Sequence, residues 1–286
     1  MLPDIVSVVL RALSFIALFQ AAGAAIFIAG FGRELTHSLA PISRLGRRTA
    51  VAALVLVLAH YSLEAARMAG NFSGMSDANL QGMVLHSASA AMVALRALGL
   101  LLIAIGLQRS GEWRMVLSVI GATLAVTSFA LMGHTTVHSA RWILALMLIV
   151  HLLVVAFWFG ALLPLYVASR REILPAAARV IDAFSRLAAW LVPGILLAGL
   201  VMAVLLIPQM ATFAEPYGEL LIAKLVGFAL LMGLAAANKW RFGPAIARGE
   251  ARALRLFRRA VVFEYVLIST VLAITAVMTT FFSPEH

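Results

Sequence analysis

The chain has 286 residues, 63% of them hydrophobic and 12% charged, with a formal net charge of +10, and its mean hydropathy of +1.03 excludes an ordinary water-soluble domain. It contains no cysteine, so it forms no disulfide and offers no thiolate to a metal; a metal site must use His, Met, carboxylate or backbone oxygen. The basic excess is distributed as a membrane-topology signal and not as a nucleic-acid surface, so no nucleic-acid partner is expected.

Apolar stretches of about 20 residues alternate with short polar joints, the length a helix needs to cross about 30 Å of hydrocarbon. This pattern predicts an all-α fold, a polytopic integral membrane bundle of about eight transmembrane helices lying in a lipid bilayer, and excludes a barrel. The first span is expected near Ile5–Phe31; nothing basic precedes it, so it reads as retained and not as a cleavable leader. The second, near Thr49–Arg67, carries His60, Glu64 and Met68 at i, i+4, i+8, which stacks them on one face running from mid-membrane toward the outer surface. The joint behind it holds Met75. The third span, near Met83–Leu107, opens with the i, i+3 pair Met83 and His86 and carries Arg96 near its middle, where pairing with a carboxylate or carbonyls is expected.

The fourth span, near Met115–Met132, runs into Met132-Gly133-His134 and then His138, two imidazoles at the outer mouth. The fifth, near Ser139–Val167, places Met147, His151 and Trp158 close to one face, with His151 deep. The last three are expected near Leu187–Ile207, Gly218–Lys239 and Ala260–Phe282, with Lys224 and Glu264 snorkelling toward opposite surfaces.

Arg33, Arg44, Arg47, Arg48, Arg109, Arg114, Arg170, Arg171, Arg179, Arg186 and the basic run from Lys239 to Arg259 fall in the joints after odd-numbered spans; the opposite joints hold Arg67 and Arg141. This bias predicts that the odd joints are cytoplasmic and that both termini lie outside. The whole chain, 1–286, reads as a single transmembrane domain with possible repeat halves 1–138 and 139–286. Ile42-Ser43-Arg44-Leu45 resembles Phe184-Ser185-Arg186-Leu187, and Arg33-Glu34 resembles Arg171-Glu172. Two halves of four spans that start on the same side make a parallel 4+4 repeat, which sets His60 opposite Met202 and Met68 opposite Met210.

Ionisable side chains inside a span are costly and therefore functional candidates. Neutral imidazole and thioether donors without thiolate suit copper, Cu(I) above all. The candidate metal ligands are His60, Glu64, Met68, Met83, His86, His134, His138 and His151. The outer His and Met residues are expected to capture the ion, and His60, Glu64 and His151 to pass it deeper through several moderate sites in series. No GxxxxGK[ST] loop is present, so no nucleotide drives the step, and no enzymatic activity is expected. Rival readings are a b-type haem protein ligated by His60 and His151, a metal-activated water at His134, His138 and Glu64, and a scaffold or sensor that binds metal without flux.

Met132-Gly133-His134, His151 with Trp158-Phe159-Gly160-Ala161-Leu162, Phe184-Ser185-Arg186, Tyr217-Gly218-Glu219-Leu220-Leu221-Ile222-Ala223-Lys224, Asn238-Lys239, Pro244 and Glu264 together resemble the copper resistance protein D family over about the second half of the chain. The resemblance implies an inner-membrane protein of Gram-negative bacteria that moves copper inward from the periplasm. It also implies a small periplasmic copper-binding protein as partner, and it maps the family's motif histidines onto His134 and His151. Relatives that carry the partner as a fused domain are longer, so a separate partner is the expectation here.

Overall fold

The computed structural model describes residues 2–132, 139–206 and 216–282. Among them the order is α1 (Leu2–Phe31), α2 (Leu39–Ala69), α3 (Ala78–Leu85), α4 (Ala88–Gly106), α5 (Gly111–Thr127), α6 (Arg141–Arg171), α7 (Leu174–Leu206), α8 (Pro216–Ala237), a π-helical turn (Asn238–Phe242), α9 (Gly243–Ala247) and α10 (Ala251–Phe281), with no strand. Eight of these helical stretches are long and apolar enough to cross a membrane. The fold is the expected polytopic helical bundle.

Local sequence explains where the boundaries depart from expectation. Span three does not begin at Met83: Asp77 caps a separate short helix, α3, by accepting the N–H groups of Asn79 and Leu80, and α4 starts afresh after the extended residue Ser87. Met83 and His86 therefore belong to α3 and its end and not to a transmembrane helix. α2 stops at Gly70, whose φ of +73° is a left-handed cap. α7 starts at Leu174, well before Leu187, because its first turns carry Arg179, Asp182 and Arg186 outside the apolar stretch.

α1 is the most enclosed span and the hub of the bundle, packing on α2, α4, α5, α6 and α10. Lipid tails are as apolar as the helices, so association rests on close packing, and small residues permit it. α1 and α6 cross at Gly23 and Gly160. A Cβ on Gly23 would stand 2.0 Å from Ala156 O and 2.4 Å from Gly160 Cα, and one on Gly160 would stand 2.4 Å from Gly23 Cα and 2.6 Å from Phe19 O. Gln20 Nε2 donates to Gly160 O at 2.9 Å across the same crossing. Phe19, Phe27 and Phe159 fill the fully buried core on either side.

The Arg-rich face is tied together by contacts between the joints. Glu172, just past α6, accepts the N–H groups of His37 at 2.9 Å and Ser38 at 2.8 Å and the Ser38 hydroxyl at 2.5 Å, so it covers the start of α2 where backbone donors are unpaired. Glu34, just past α1, pairs with Arg179 of α7 at 3.4 Å. Burial works against the Glu172 charge, but the Ser38 hydroxyl and the two N–H groups outweigh it and hold the carboxyl below its ordinary range.

Two outcomes follow. Gly23→Ala or Gly160→Ala should destabilise the bundle by about 1–3 kcal/mol through overpacking, whereas Gly233→Ala, where a Cβ meets open space, should not; thermal unfolding in detergent checks both. Because the folded carboxyl lies below its unfolded value, Glu172 stabilises above the unfolded value and this contribution disappears as pH falls through the folded one. Glu172→Gln should therefore lower the melting temperature at neutral pH and flatten its decline on the acid side.

Candidate functional site

A cleft of about 530 Å³ opens at the Arg-poor face. Asp4 and Arg11 of α1, Glu64, Arg67 and Met68 of α2, Ser87 and Ser89 at the start of α4, and Met132 beyond α5 line it. Helical spacing on α2 brings Glu64 and Met68 to one wall, and the first turn of α4 supplies the Ser89 hydroxyl that donates to Glu64 Oε2 at 2.7 Å. Arg67 Nε pairs with Asp4 Oδ1 at 3.2 Å. Met68 and Met132 are exposed, so two thioethers and two carboxylates reach one water-accessible space.

His60 lies a turn below Glu64 and is turned toward α1. Its Nε2 stands 3.0 Å from Ser7 Oγ and accepts from Arg11 Nε at 3.3 Å. A guanidinium has no acceptor, so Nε2 carries the lone pair and the ring proton is on Nδ1. Arg11 Nη1 also donates to Thr279 O at 2.8 Å and Thr279 Oγ1 at 3.3 Å, so one side chain joins α1, α2 and α10. Arg11 is missing from the sequence-derived set, although an Arg inside the first span was itself the signal.

His151 is turned the other way. Its Nδ1 donates to Ile195 O of α7 at 3.3 Å, since a carbonyl only accepts, which leaves Nε2 as the lone-pair nitrogen. Gly199 of α7 lies beside the ring, where a Cβ would make an ordinary contact with Cε1 at 3.9 Å. The two imidazoles thus bond to different helices, His60 to α1 and His151 to α7. A second cavity, about 300 Å³ between α1, α6 and α7, is lined by apolar groups such as Phe31, Phe157 and Leu191 and includes neither ring.

The remaining expected ligands are dispersed. Met83 is exposed on α3, and exposed His86 holds Gly82 O through Nδ1 at 2.7 Å. His134 and His138 lie outside the described residues, as does Met210. Among the described residues no group of three or more His, Asp and Glu is placed to hold a metal ion.

Two buried charges differ from expectation. Among the described residues Arg96 finds neither carboxylate nor carbonyl: its Nε donates to Ser128 Oγ at 3.0 Å and its guanidinium covers the Phe129 ring at 4.0 Å from the centroid. Glu264 does not snorkel. It is 2% exposed and accepts from Trp158 Nε1 at 3.3 Å and Asn238 Nδ2 at 2.5 Å.

Arg11→Met should remove hydrogen bonds to both α2 and α10 and lower stability by about 1.5–3 kcal/mol, more than Arg67→Met at the rim; melting in detergent, with hydrogen exchange localised to α10, reads the difference.

The profile described as copper resistance protein D-like, N-terminal domain, matches residues 1–141, and that of copper resistance protein D matches residues 178–278. A curated relative, copper resistance protein D of Pseudomonas syringae pv. tomato, is 35% identical over 150 residues, covering 48% of this chain and 48% of that protein. The alignment thus spans about half the length of the relative. No solved structure matches. With both profiles on one eight-span bundle, the chain belongs to the copper resistance protein D family.

Proposed function

We propose that this protein handles copper as its cargo, taking the ion at the Arg-poor cleft on the periplasmic side of a bacterial inner membrane and passing it inward, in the service of copper resistance or homeostasis. The observation that carries this reading is the cleft itself, where Glu64, Met68, Met132 and Asp4 converge at the mouth of the bundle. Thioethers favour Cu(I), and carboxylates extend the set without making a closed cage. Arg11 and Arg67 on the same walls oppose a tight hold on a cation, which suits a site that must release what it captures. His151 Nε2 is the candidate deeper donor, with its ring oriented by Ile195 O. His60 serves only after Arg11 withdraws from Nε2.

Met75, Met83 and His86 are exposed on the segment between α2 and α4 and suit delivery from a small periplasmic copper-binding protein. The name of the Pseudomonas relative and the family profiles support copper as the ion. The haem reading gains no support from the geometry, because His60 and His151 face different helices. Nothing in the site favours catalysis over binding.

The test is elemental analysis with an absorption spectrum on detergent-purified protein loaded with Cu(I) under reducing conditions. Copper should be retained without a Soret band. Glu64→Gln, Met68→Leu and Met132→Leu should each weaken binding about tenfold, equivalent to 1.4 kcal/mol, as should variants of His134, His138 and His151, while His37→Ala on the far face should not. Iron with a Soret band, or equal losses in all variants including His37→Ala, would overturn the reading.

A further inference from the structure

Glu264 lies at the other end of the bundle from the cleft. It is five residues beyond Arg259 on α10, about 7.5 Å along the axis, and so sits just inside the Arg-rich face. Its carboxyl is enclosed at the junction of α6, the π-helical turn and α10. Trp158 donates to one oxygen and Asn238 to the other. Asn238 is itself 8% exposed, and its Oδ1 is buried without a hydrogen-bond partner. The π-helical turn that holds Asn238 is a rare local geometry that recurs at functional sites.

The charges around this junction are turned elsewhere. Arg258 of α10 donates to the carbonyl and hydroxyl of Ser169 on α6. Lys239 and Arg241 follow Asn238 in the turn but make no ion pair with Glu264 among the described residues, and α9 has no ionisable residue. α1 carries none between Arg11 and Arg33. Lys224 of α8 is 14 residues from Asn238, about 21 Å along the helix. On α10 itself, Tyr265 stacks on Phe159 with centroids 4.8 Å apart. Among the described residues Glu264 thus has two neutral donors and no cation, and a carboxylate enclosed this way is costly until a positive charge joins it.

The unpaired Asn238 Oδ1 indicates which charge fits. The amide that donates through Nδ2 to a carboxylate can, rotated by half a turn, accept through Oδ1 from a carboxylic acid. Trp158 donates to the other oxygen in both cases. We propose that Glu264, Trp158 and Asn238 form a proton-binding site inside the membrane, in which the Glu264 carboxylate takes a proton from the Arg-rich side and returns it there while the Asn238 amide switches between donor and acceptor. Its use to balance the charge of a copper ion leaving the bundle rests on the transport reading above; proton binding itself does not.

The experiment is infrared difference spectroscopy of the copper-free full chain in liposomes, recorded across the pH range in which it stays folded. A protonated-carboxyl band should appear as pH falls, vanish in Glu264→Gln, and shift in Trp158→Phe, which removes one donor but keeps the carboxyl. Trp158→Phe carries the test alone if Glu264→Gln fails to fold. A band unchanged by either substitution, no pH-dependent carboxyl band at all, or a band that follows sodium at fixed pH would each overturn the assignment. Loss of copper binding with this band intact would instead count against the cargo reading alone.

Discussion

The architecture depends on the contact between α1 and α6 at Gly23 and Gly160, where two helices touch backbone to backbone. Such contact is available only to glycine, and in lipid it replaces the hydrophobic force that water would supply. With α6 held against α1, the hub helix also packs α2, α4, α5 and α10. The Gln20 bond to Gly160 O pins the same crossing. The first family profile ends where α6 begins and the second starts within α7, so α6 lies between them.

Around that hub, buried polar groups mark the positions where helices are joined. Arg11 joins α1, α2 and α10, Arg96 joins α4 to the end of α5, and Glu264 joins α6, the π-helical turn and α10. Each is a costly group in hydrocarbon that persists because neighbouring helices supply its partners. The proposed path uses the two ends differently: a wide cleft with soft donors at the Arg-poor face, and an enclosed carboxyl at the Arg-rich one. Copper capture and charge compensation are thereby separated by the thickness of the bundle.

Much of the fold was legible in the sequence. Eight apolar stretches had to be helices because the bilayer leaves no other way to satisfy the backbone. The break at His86 and Ser87 was harder to see, since Val84 and Leu85 continue the apolar run and the caps at Asp77 and Ser87 compete with it only locally. Placing Glu64 and Met68 on one wall followed from helical periodicity. That periodicity says nothing about which helix lies opposite, so Asp4, Arg11 and Met132 as their neighbours, the Ser128 and Phe129 partners of Arg96, and the separation of His60 from His151 required the tertiary packing. Glu264 was misread for the same reason: its axial position is near the surface, and only Trp158 and Asn238 show that the route outward is closed.

The most direct measurement is X-ray absorption at the copper edge of the Cu(I)-loaded protein, which reports the atoms bound to the ion. The account predicts sulfur neighbours together with lighter nitrogen or oxygen neighbours, the sulfur contribution falling in Met68→Leu and Met132→Leu. A copper environment without sulfur, or one that both substitutions leave unchanged, would contradict the assignment of the cleft as the site of capture.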